Sequence, residues 1–429
     1  MDEIPVNETQ IDETVVTVRH DDALPTITAK QALEQLRADG KLSNVSVSGL
    51  NLSGEFPKPL KLNHVRLVKL VINRATFKEF AEFQGCTFVR PIVRDSSFEK
   101  GAKFNASTIR KALFSNIVFQ GNVRFDNAHF EGSAKFDDCS FRAARFWEAH
   151  FDSWAEFQRC RFADTADFRS AHAEQGIVFA CQFEGELLFR GLSAAKKVDL
   201  TNSRCHGLVD LSKAKLNDFV YLEQIEPGPG LQFAFANAIA ERLLISTSLL
   251  SGRMKSEQEG EHGVAAAEFG LLKRNFESLH RYDDEDWAFY RFKINQRRAR
   301  PTSWSRPWTK FLRLCDKVLL DWGCGYGTNP LRAVMSALVI IGLFGLLYAA
   351  EAHHFDVAAP PFPWFPAGHT VNRLMLGLMT SISVFTAGFS GDHLRSAHGW
   401  VLVPLACEAL LGTLLWGLFI VAFSRKVIR

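Results

Sequence analysis

The chain has 429 residues, a formal net charge of +3 and 37 phenylalanines against five tyrosines. Its length suffices for two or three folded units. The small net charge argues against nucleic-acid binding, which calls for a strongly basic domain or a clustered basic face. The eight cysteines show no paired metal-ligand spacing. We therefore predict no nucleic-acid partner and no metal site.

The first 44 residues precede the part of the chain that is rich in phenylalanine. Residues 1–27 are acidic and lack an apolar core, so they are predicted to form a disordered tail rather than a signal peptide. Residues 28–44 begin with TAKQALEQLRADGKL, which has helical periodicity. We predict that this segment is a helical cap over the open end of the domain that follows.

A short repeat dominates residues 45–250. Phenylalanine recurs in steps of five or six, with a small residue two positions before most of them, as in AHF, AKF, CSF and CRF. This step fits neither a helix nor a strand, so each unit must turn a corner. We predict a coil in which phenylalanines stack from turn to turn while Asp126, Asn127 and Arg159 face solvent. Cysteines at the small-residue position are predicted to be reduced, buried filler.

This pattern resembles the pentapeptide-repeat family over about residues 45–220. The resemblance implies a right-handed, quadrilateral β-helix, so the expected fold class is mixed: this solenoid plus a helical part. Nothing in the array combines a nucleophile with a base. We expect a rigid spacer or docking surface with no enzymatic activity and no cofactor.

Residues 251–300 shift to helical periodicity and are predicted to form a helical connector. Two helices are expected, with a break around the sequence RYDDED. The carboxylates at 283–286 have two interpretations: a cation site, or charges that favour the positive end of a helix, which is the commoner use. The basic run RRAR at 297–300 indicates a position close to a membrane.

Residues 301–330 are predicted to form an interfacial amphipathic helix followed by a turn. Five apolar residues lie near one helical face, and the basic residues lie elsewhere, which is typical of a helix in the membrane interface. The stretch GCGYGTNP lacks both a preceding strand and a following Lys-Ser/Thr, so it is a flexible turn rather than a phosphate loop. The apolar residues are Trp308, Phe311, Leu314, Val318 and Trp322.

Residues 331–429 are predicted to form a two-helix membrane module. Residues 333–350 carry no charge and residues 400–423 carry one acid, Glu408, so both stretches are candidate transmembrane helices. Arginine and lysine are dense before the first and after the second. The distribution predicts a multi-pass protein of the cell inner (plasma) membrane with both termini in the cytoplasm and the lipid bilayer as a partner.

Between the two stretches lies VNRLMLGLMTSISVF, an apolar segment too short and too interrupted to cross, followed by TAGFSGD. A short helix followed by exposed backbone is tolerated in a membrane only where protein or a water-filled pore surrounds it. We therefore predict a re-entrant pore helix between the spans.

The layout resembles the prokaryotic two-transmembrane ion-channel family, the potassium-channel pore module, over about residues 333–429. In that family the carbonyls of a Thr-x-Gly-Tyr/Phe-Gly-Asp filter replace the water shell of the ion. The resemblance implies a homotetramer and a permeant monovalent cation, conducted with potassium selectivity or non-selectively, because Ser390 is an extra residue in the filter. The predicted filter comprises Thr386, Ala387, Gly388, Phe389, Ser390, Gly391 and Asp392.

Further residues of this module have two interpretations each. The pore-helix hydroxyls of Thr380, Ser381 and Ser383 either support the filter or bond helix backbone. In the inner helix, Glu408 has a functional interpretation, in which it lines the pore or contacts the filter support, and a structural one, in which it makes a hydrogen bond. Gly412 and Gly417 are either a gating hinge or sites of close helix packing.

Four histidines fall on the external side of this topology. They are expected to be surface residues, with pH sensing as the alternative. They are His353, His354, His393 and His398.

The function predicted from the sequence is an ion channel whose cytoplasmic repeat domain serves assembly or gating, with an unknown cytoplasmic regulator as a candidate partner. The alternative is a membrane-anchored repeat scaffold that does not conduct. The filter-like TAGFSGD after an apolar helix favours the channel.

Overall fold

The repeat array is a β-solenoid in which many ladder partners lie 21 or 22 residues apart, as in the pairs Phe77 with Phe98 and Phe119 with Phe141, while others lie 20 or 24 residues apart. The solenoid has about ten turns. A turn of about 21 residues explains the mixture of five- and six-residue steps, because four short units of five do not quite complete it. The structure, a computed structural model, describes residues 24–301, 307–355, 364, 369–388 and 397–427, so nearly all of the predicted tail lies outside the described residues.

The chain is divided into two compact units, Met1–His206 and Gly207–Arg429. The strands of the first unit are Thr26–Ile27 (β1), Lys41–Ser43 (β2), Ser46–Ser48 (β3), Asn51–Phe56 (β4), Leu60–Asn63 (β5), Arg66–Val68 (β6), Val71–Phe77 (β7), Ala81–Gln84 (β8), Thr87–Val89 (β9), Ile92–Phe98 (β10), Gly101–Lys103 (β11), Thr108–Phe119 (β12), Asn122–Arg124 (β13), His129–Asp137 (β14), Ser140–Phe141 (β15), Ala144–Arg145 (β16), His150–Phe151 (β17), Ala155–Phe162 (β18), Ala166–Asp167 (β19), His172–Ala173 (β20), Ile177–Phe183 (β21), Leu187–Leu188 (β22), Ser193–Ala194 (β23), Val198–Asp199 (β24) and Arg204–Cys205 (β25). They pair in parallel; one ladder runs β2, β5, β8, β11, β13, β16, β19 and β22.

The core of the first unit is made of stacked phenylalanine rings. Phe77 and Phe98 stack with ring centroids 4.5 Å apart, and Phe136 and Phe157 stack at 4.7 Å with nearly parallel planes. All of these rings are buried. The predicted stacking of phenylalanine from turn to turn is therefore confirmed, and each buried ring removes a large apolar area from water.

The small residues of the repeat fill the inner positions, as predicted. Alanines such as Ala134 and Ala155 are fully buried, and the five cysteines of the array are buried free thiols. Burial raises the pKa of the Cys86 thiol to about 12, so this side chain stays protonated and behaves as a small apolar residue.

One solvent-facing prediction is wrong. Asn127 and Arg159 are exposed, but Asp126 is buried and forms an ion pair with Arg145 while accepting a hydrogen bond of 3.2 Å from Asn105. The partners of Asp126 come from neighbouring turns, which supply the charge and donors that a buried carboxylate needs.

Helix α1, Ala29–Asp39, lies within the segment predicted to be a cap and packs on the first strands. Thr28 and Gln31 form a capping box at its start, and Gly40 ends it in a left-handed conformation with φ 70°. The chain is already a strand by Lys41–Ser43, so the helix is shorter than the segment 28–44.

The second unit contains the last strands and the remaining helices. Its strands are Leu208–Asp210 (β26), Lys215–Tyr221 (β27), Glu226–Pro227 (β28), Gln232–Ala234 (β29) and Ile239–Leu244 (β30), with β26 paired to β29 and β27 to β30. Its α-helices are Thr247–Leu250 (α2), Lys255–Gln258 (α3), His262–Ser278 (α4), Tyr282–Ala299 (α5), Pro307–Cys315 (α6), Pro330–Ala350 (α7), Thr370–Ala387 (α8) and Leu402–Val427 (α9). A π-helical stretch covers Asp316–Trp322, and 3₁₀ turns cover Gly325–Gly327, Ala352–His354 and Gly399–Val401.

Side chains of helix α4 form hydrogen bonds with the backbone in and next to the last strands of the solenoid. Asn275 accepts from the Leu243 N–H at 2.7 Å and donates to the Leu243 carbonyl at 2.8 Å, and Glu268 accepts from the Phe235 N–H at 2.7 Å. Burial raises the pKa of the Glu268 carboxyl, although its hydrogen bonds oppose the shift. These side chains satisfy backbone groups that an uncovered strand would leave free.

Within the part of the chain that the structure describes, two helices are long and apolar enough to cross a membrane, Pro330–Ala350 and Gly399–Val427. In their most apolar windows only 22% and 33% of the residues are buried. Upstream of them, α6 and the π-helical stretch expose the apolar face predicted for an interfacial helix, with Trp308, Leu314 and Trp322 more than half exposed.

A buried ion pair joins α5 of the connector to the π-helical stretch that precedes α7. Arg297 of α5 donates to Asp321 at 2.6 Å, Tyr290 donates to the same carboxylate at 2.7 Å, and Arg297 also donates to Tyr326 at 2.9 Å. Arg297 and Asp321 are 7% exposed each. The basic run at 297–300 is thus partly structural, since its first residue is buried against the turn before α7.

Candidate functional site

Helix α8 contacts both α7 and α9. It packs tightly on α7 at two glycines: a Cβ on Gly377 would lie 2.2 Å from the Gly345 carbonyl oxygen. Because no side chain fits there, the two backbones touch directly. Helix α8 has 18 residues, which makes it longer than the apolar segment recognised in the sequence, and it is not among the helices apolar enough to cross a membrane in the described part of the chain.

The filter-like segment begins at the carboxyl end of α8. Thr386 and Ala387 are exposed in its last turn, and Thr386 Oγ1 donates to the Ile382 carbonyl at 2.7 Å. Gly388 ends the helix with φ 61° and ψ −133°. This combination lies outside the left-handed helical region that asparagine or aspartate tolerates, so the position requires glycine. The other four predicted filter residues, 389–392, lie outside the described residues.

Glu408 of α9 is fully buried where three helices meet. Its Oε2 accepts a hydrogen bond of 2.7 Å from Tyr348 of α7, and its Oε1 contacts the hydroxyl of Ser381 of α8. The Ser381 hydroxyl also lies 3.0 Å from the Ile341 carbonyl oxygen. Both carboxylate oxygens are engaged by neighbouring helices of the same chain, so Glu408 ties α7, α8 and α9 together directly behind the helix that carries Gly388.

This arrangement predicts different results for two substitutions of Glu408. Glu408→Gln should leave the free energy of unfolding within about 1 kcal/mol of the wild type, because the amide keeps an acceptor for Tyr348 and provides a donor for Ser381. Glu408→Leu should cost about 1–3 kcal/mol, because the Tyr348 hydroxyl loses its acceptor, whereas the Ser381 hydroxyl keeps the Ile341 carbonyl. Thermal unfolding in detergent compares them. Equal losses in both variants would mean that the carboxylate charge, and not the hydrogen bonding, is required.

The other predicted pore-helix hydroxyls lie near this network. Thr380 is buried, and Ser383 is half-buried one turn before the end of α8. The Ser381 hydroxyl meets a helix carbonyl and the Glu408 carboxylate, and its role in supporting the filter stays a prediction.

The two inner-helix glycines are in different surroundings. A Cβ on Gly412 would lie 2.4 Å from the Phe385 carbonyl oxygen of α8, whereas a Cβ on Gly417 would meet nothing within 4 Å. Gly412 is thus a site of close packing against the last turn of α8. Gly417 has no such constraint from the described residues.

Valine substitutions should separate the two positions. Gly412→Val forces backbone apart and should lower the free energy of unfolding by about 1–3 kcal/mol or more. Gly417→Val, the matched control, should stay within about 0.5 kcal/mol because its side chain enters open space. Chemical unfolding of both proteins in detergent tests this, and indistinguishable stabilities would refute the packing role of Gly412.

An ionic contact fixes the carboxyl end of α9 to the connector. Arg425 lies 3.0 Å from Glu285 and 3.1 Å from Asp286, and its guanidinium sits 4.4 Å from the centre of the Phe289 ring. Lys426 lies 3.2 Å from Asp283. We call this the Arg425 clamp.

The carboxylates of residues 283–286, interpreted from the sequence as a cation site or as helix-start charges, pair with basic side chains, most of them in the Arg425 clamp. These carboxylates lie within the start of α5, where the helix dipole favours negative charge. Asp284 pairs with Arg281, and Asp283, Glu285 and Asp286 pair with the end of α9. Basic side chains of the protein thus occupy the positions that a bound cation would take.

Three of the four histidines predicted to lie on the external side are among the described residues. His353 and His354 lie 3.7 Å and 3.6 Å from Glu351, and the rings of His354 and His398 are 5.6 Å apart. His393 lies outside the described residues. The pH-sensing alternative therefore has a carboxylate partner but stays a prediction.

Sequence reasoning missed Tyr348 and the Arg425 clamp. Tyr348 is a polar side chain within an otherwise apolar stretch, and it faces the acid of the second stretch. The sequence signal for this contact is one tyrosine in the first apolar stretch and one acid in the second.

Part of the repeat array is similar to a known family. A family model described as pentapeptide repeats (9 copies) matches residues 114–161, within the first unit. No curated protein matches the chain at a significant level. The chain therefore carries pentapeptide repeats in a β-solenoid, and its helical part must be interpreted from its own geometry.

Proposed function

We propose that the chain is one subunit of a homotetrameric cation channel of the plasma membrane, with its pentapeptide-repeat solenoid and both termini in the cytoplasm. The solenoid is right-handed and four-sided in this proposal, as in the family that it resembles. Its conducted ion is a monovalent cation, potassium or a less selective set.

The exposed apolar faces of α7 and α9 support the membrane location. An apolar helix in the core of a soluble protein is mostly buried, but here only 22% and 33% of the residues in the two apolar windows are buried. Leu338 and Leu343 of α7 and Leu414 and Ile420 of α9 are all more than half exposed. Lipid and neighbouring subunits would cover these side chains.

The observation that carries the proposal is the position and end of α8. This helix lies between the two candidate spans in sequence, packs on both, and ends at Gly388 in a backbone conformation reserved for glycine. In the proposal α8 is a re-entrant pore helix, and the backbone after it turns its carbonyl groups towards the pore axis. Glu408 and Gly412 hold this helix from behind.

The Arg425 clamp supports a cytoplasmic role in gating. Within the second unit, the last strands bond to α4, α4 packs on α5, and α5 holds the end of α9 through Glu285 and Asp286. A regulator that moves the end of the solenoid would therefore pull on the inner helix through rigid elements and charged contacts.

The subunit arrangement is tested by native mass spectrometry of the full chain in detergent. A tetramer is expected, since one chain supplies a quarter of a pore and cyclic symmetry closes it. A monomer under conditions that preserve the fold would contradict the channel and favour the membrane-anchored scaffold.

A further inference from the structure

Three consecutive turns of the solenoid carry a histidine followed two positions later by an acid. The sequences are His129-Phe130-Glu131, His150-Phe151-Asp152 and His172-Ala173-Glu174. Ladder pairing places His129 beside His150 and His150 beside His172. The middle residue of each triplet is buried in the core. The polar residues of each triplet therefore point outward together, and the three turns form a column of imidazoles beside a column of carboxylates.

Within this surface, two imidazoles converge on one carboxylate. Asp152 Oδ1 lies 2.7 Å from His129 Nε2 and 3.1 Å from His150 Nε2. The three donor atoms all lie within 4.8 Å of one another. Glu174 lies farther away, 3.9 Å from His150 Nε2, and Glu131 is engaged by Arg110.

We propose that His129, His150 and Asp152 form a zinc-binding site on the solenoid, with the fourth position of a tetrahedral metal open to water. Zinc binds imidazole nitrogen and carboxylate oxygen at about 2.0–2.2 Å, which separates neighbouring ligand atoms in a tetrahedron by roughly 3.3 Å. The observed 2.7 Å and 3.1 Å need only small side-chain rotations to reach that spacing. The same donor set disfavours magnesium and calcium, which prefer oxygen ligands alone.

The backbone is well suited to hold these ligands. His129 lies at the start of β14 and His150 at the start of β17, and the His150 N–H donates to the Ala128 carbonyl at 2.9 Å while the Asp152 N–H donates to the Phe130 carbonyl at 3.1 Å. Both ligand-bearing turns are anchored by stacked rings, since Phe130 and Phe151 lie 4.7 Å apart. A site on rigid strands loses little conformational freedom on binding.

The side chains are half-exposed, so a metal reaches them without unfolding: His129, His150 and Asp152 expose 43%, 38% and 39% of their side chains. A bound metal would join two adjacent turns. It would therefore stabilise the array against unfolding, because the unfolded chain does not bring these residues together.

The test is zinc binding by the full chain in detergent, after removal of metal with a chelator. All proteins carry His353→Asn and His354→Asn, so that the second histidine cluster does not contribute. Competition with a chromophoric zinc chelator should give one zinc per chain. His150→Asn and Asp152→Asn should each lose that equivalent, and magnesium should not compete.

The matched control is His206→Asn. His206 also meets a carboxylate, with Nδ1 2.8 Å from Glu184, but it is not part of the His129, His150 and Asp152 group. This variant should keep the zinc equivalent and the zinc-dependent rise in thermal unfolding temperature. Circular dichroism verifies the fold of every variant. Equal zinc binding by the parent and by folded His150→Asn and Asp152→Asn, or no zinc binding by the parent, would overturn the proposal.

Discussion

Replacing Gly388 with valine should abolish cation flux while leaving the tetramer assembled. The reason is backbone conformation, because φ 61° with ψ −133° is strained for any residue with a Cβ. Space among the described residues is not limiting, since a Cβ there would lie 3.6 Å from the Thr413 hydroxyl, an ordinary contact. The cost, on the order of 1–3 kcal/mol, is enough to redirect the filter-like segment without unfolding the helices.

Flux from liposomes and native mass spectrometry together measure this result. Gly342→Ala is the matched control, because it adds a methyl group to a glycine of α7 where a Cβ would meet none of the described residues within 4 Å. It should conduct like the wild type. Normal cation flux through the Gly388→Val protein would show that Gly388 is not part of the filter.

The second large effect is expected at the buried ion pair. Asp321→Ala should lower the free energy of unfolding by about 3–5 kcal/mol, because it leaves the buried Arg297 guanidinium without the carboxylate that it pairs with. It also removes the acceptor of the Tyr290 hydroxyl. Chemical unfolding in detergent measures the loss.

Two further variants make this test specific. Glu277→Ala breaks the 3.0 Å ion pair with Lys273, in which the glutamate is 55% exposed, and should cost no more than about 1 kcal/mol. Arg297→Met combined with Asp321→Leu should recover much of the stability lost by Asp321→Ala, because no charge is then left buried. A loss in Asp321→Ala as small as in Glu277→Ala would contradict the structural role of the pair.

The solenoid was predictable because its signal is local. Each phenylalanine lies five or six residues from the next, and Phe77 and Phe98 then stack as a direct result of a 21-residue turn. The helical start at Thr28 was equally visible, because its capping box lies within four residues.

Contacts between residues that are far apart in sequence could not be predicted from the repeat or from the hydrophobic pattern. Asp126 was expected in solvent, since nothing adjacent to it in sequence reveals that Arg145 lies one turn away. The hydrogen bond from Tyr348 to Glu408 spans 60 residues, and that from Arg425 to Glu285 spans 140. Partners at such separations depend on how helices pack, which a hydrophobic pattern alone does not specify.

The histidine column is an intermediate case. His129, His150 and His172 are separated by a full turn in sequence, whereas the prediction of no metal site rests on the spacing of the cysteines. The ladder register brings them together. Once the turn length is known, the recurrence of a histidine and an acid in three turns indicates that these side chains lie next to one another on the surface.

The most direct test of the channel is ion flux from liposomes that contain the purified full chain, with potassium, sodium and chloride gradients compared under equal conditions. The account predicts potassium flux, with or without sodium flux, no chloride flux, and loss of the cation flux in Gly388→Val. Absence of cation flux from liposomes that hold the folded tetramer, or cation flux that Gly388→Val leaves unchanged, would contradict it.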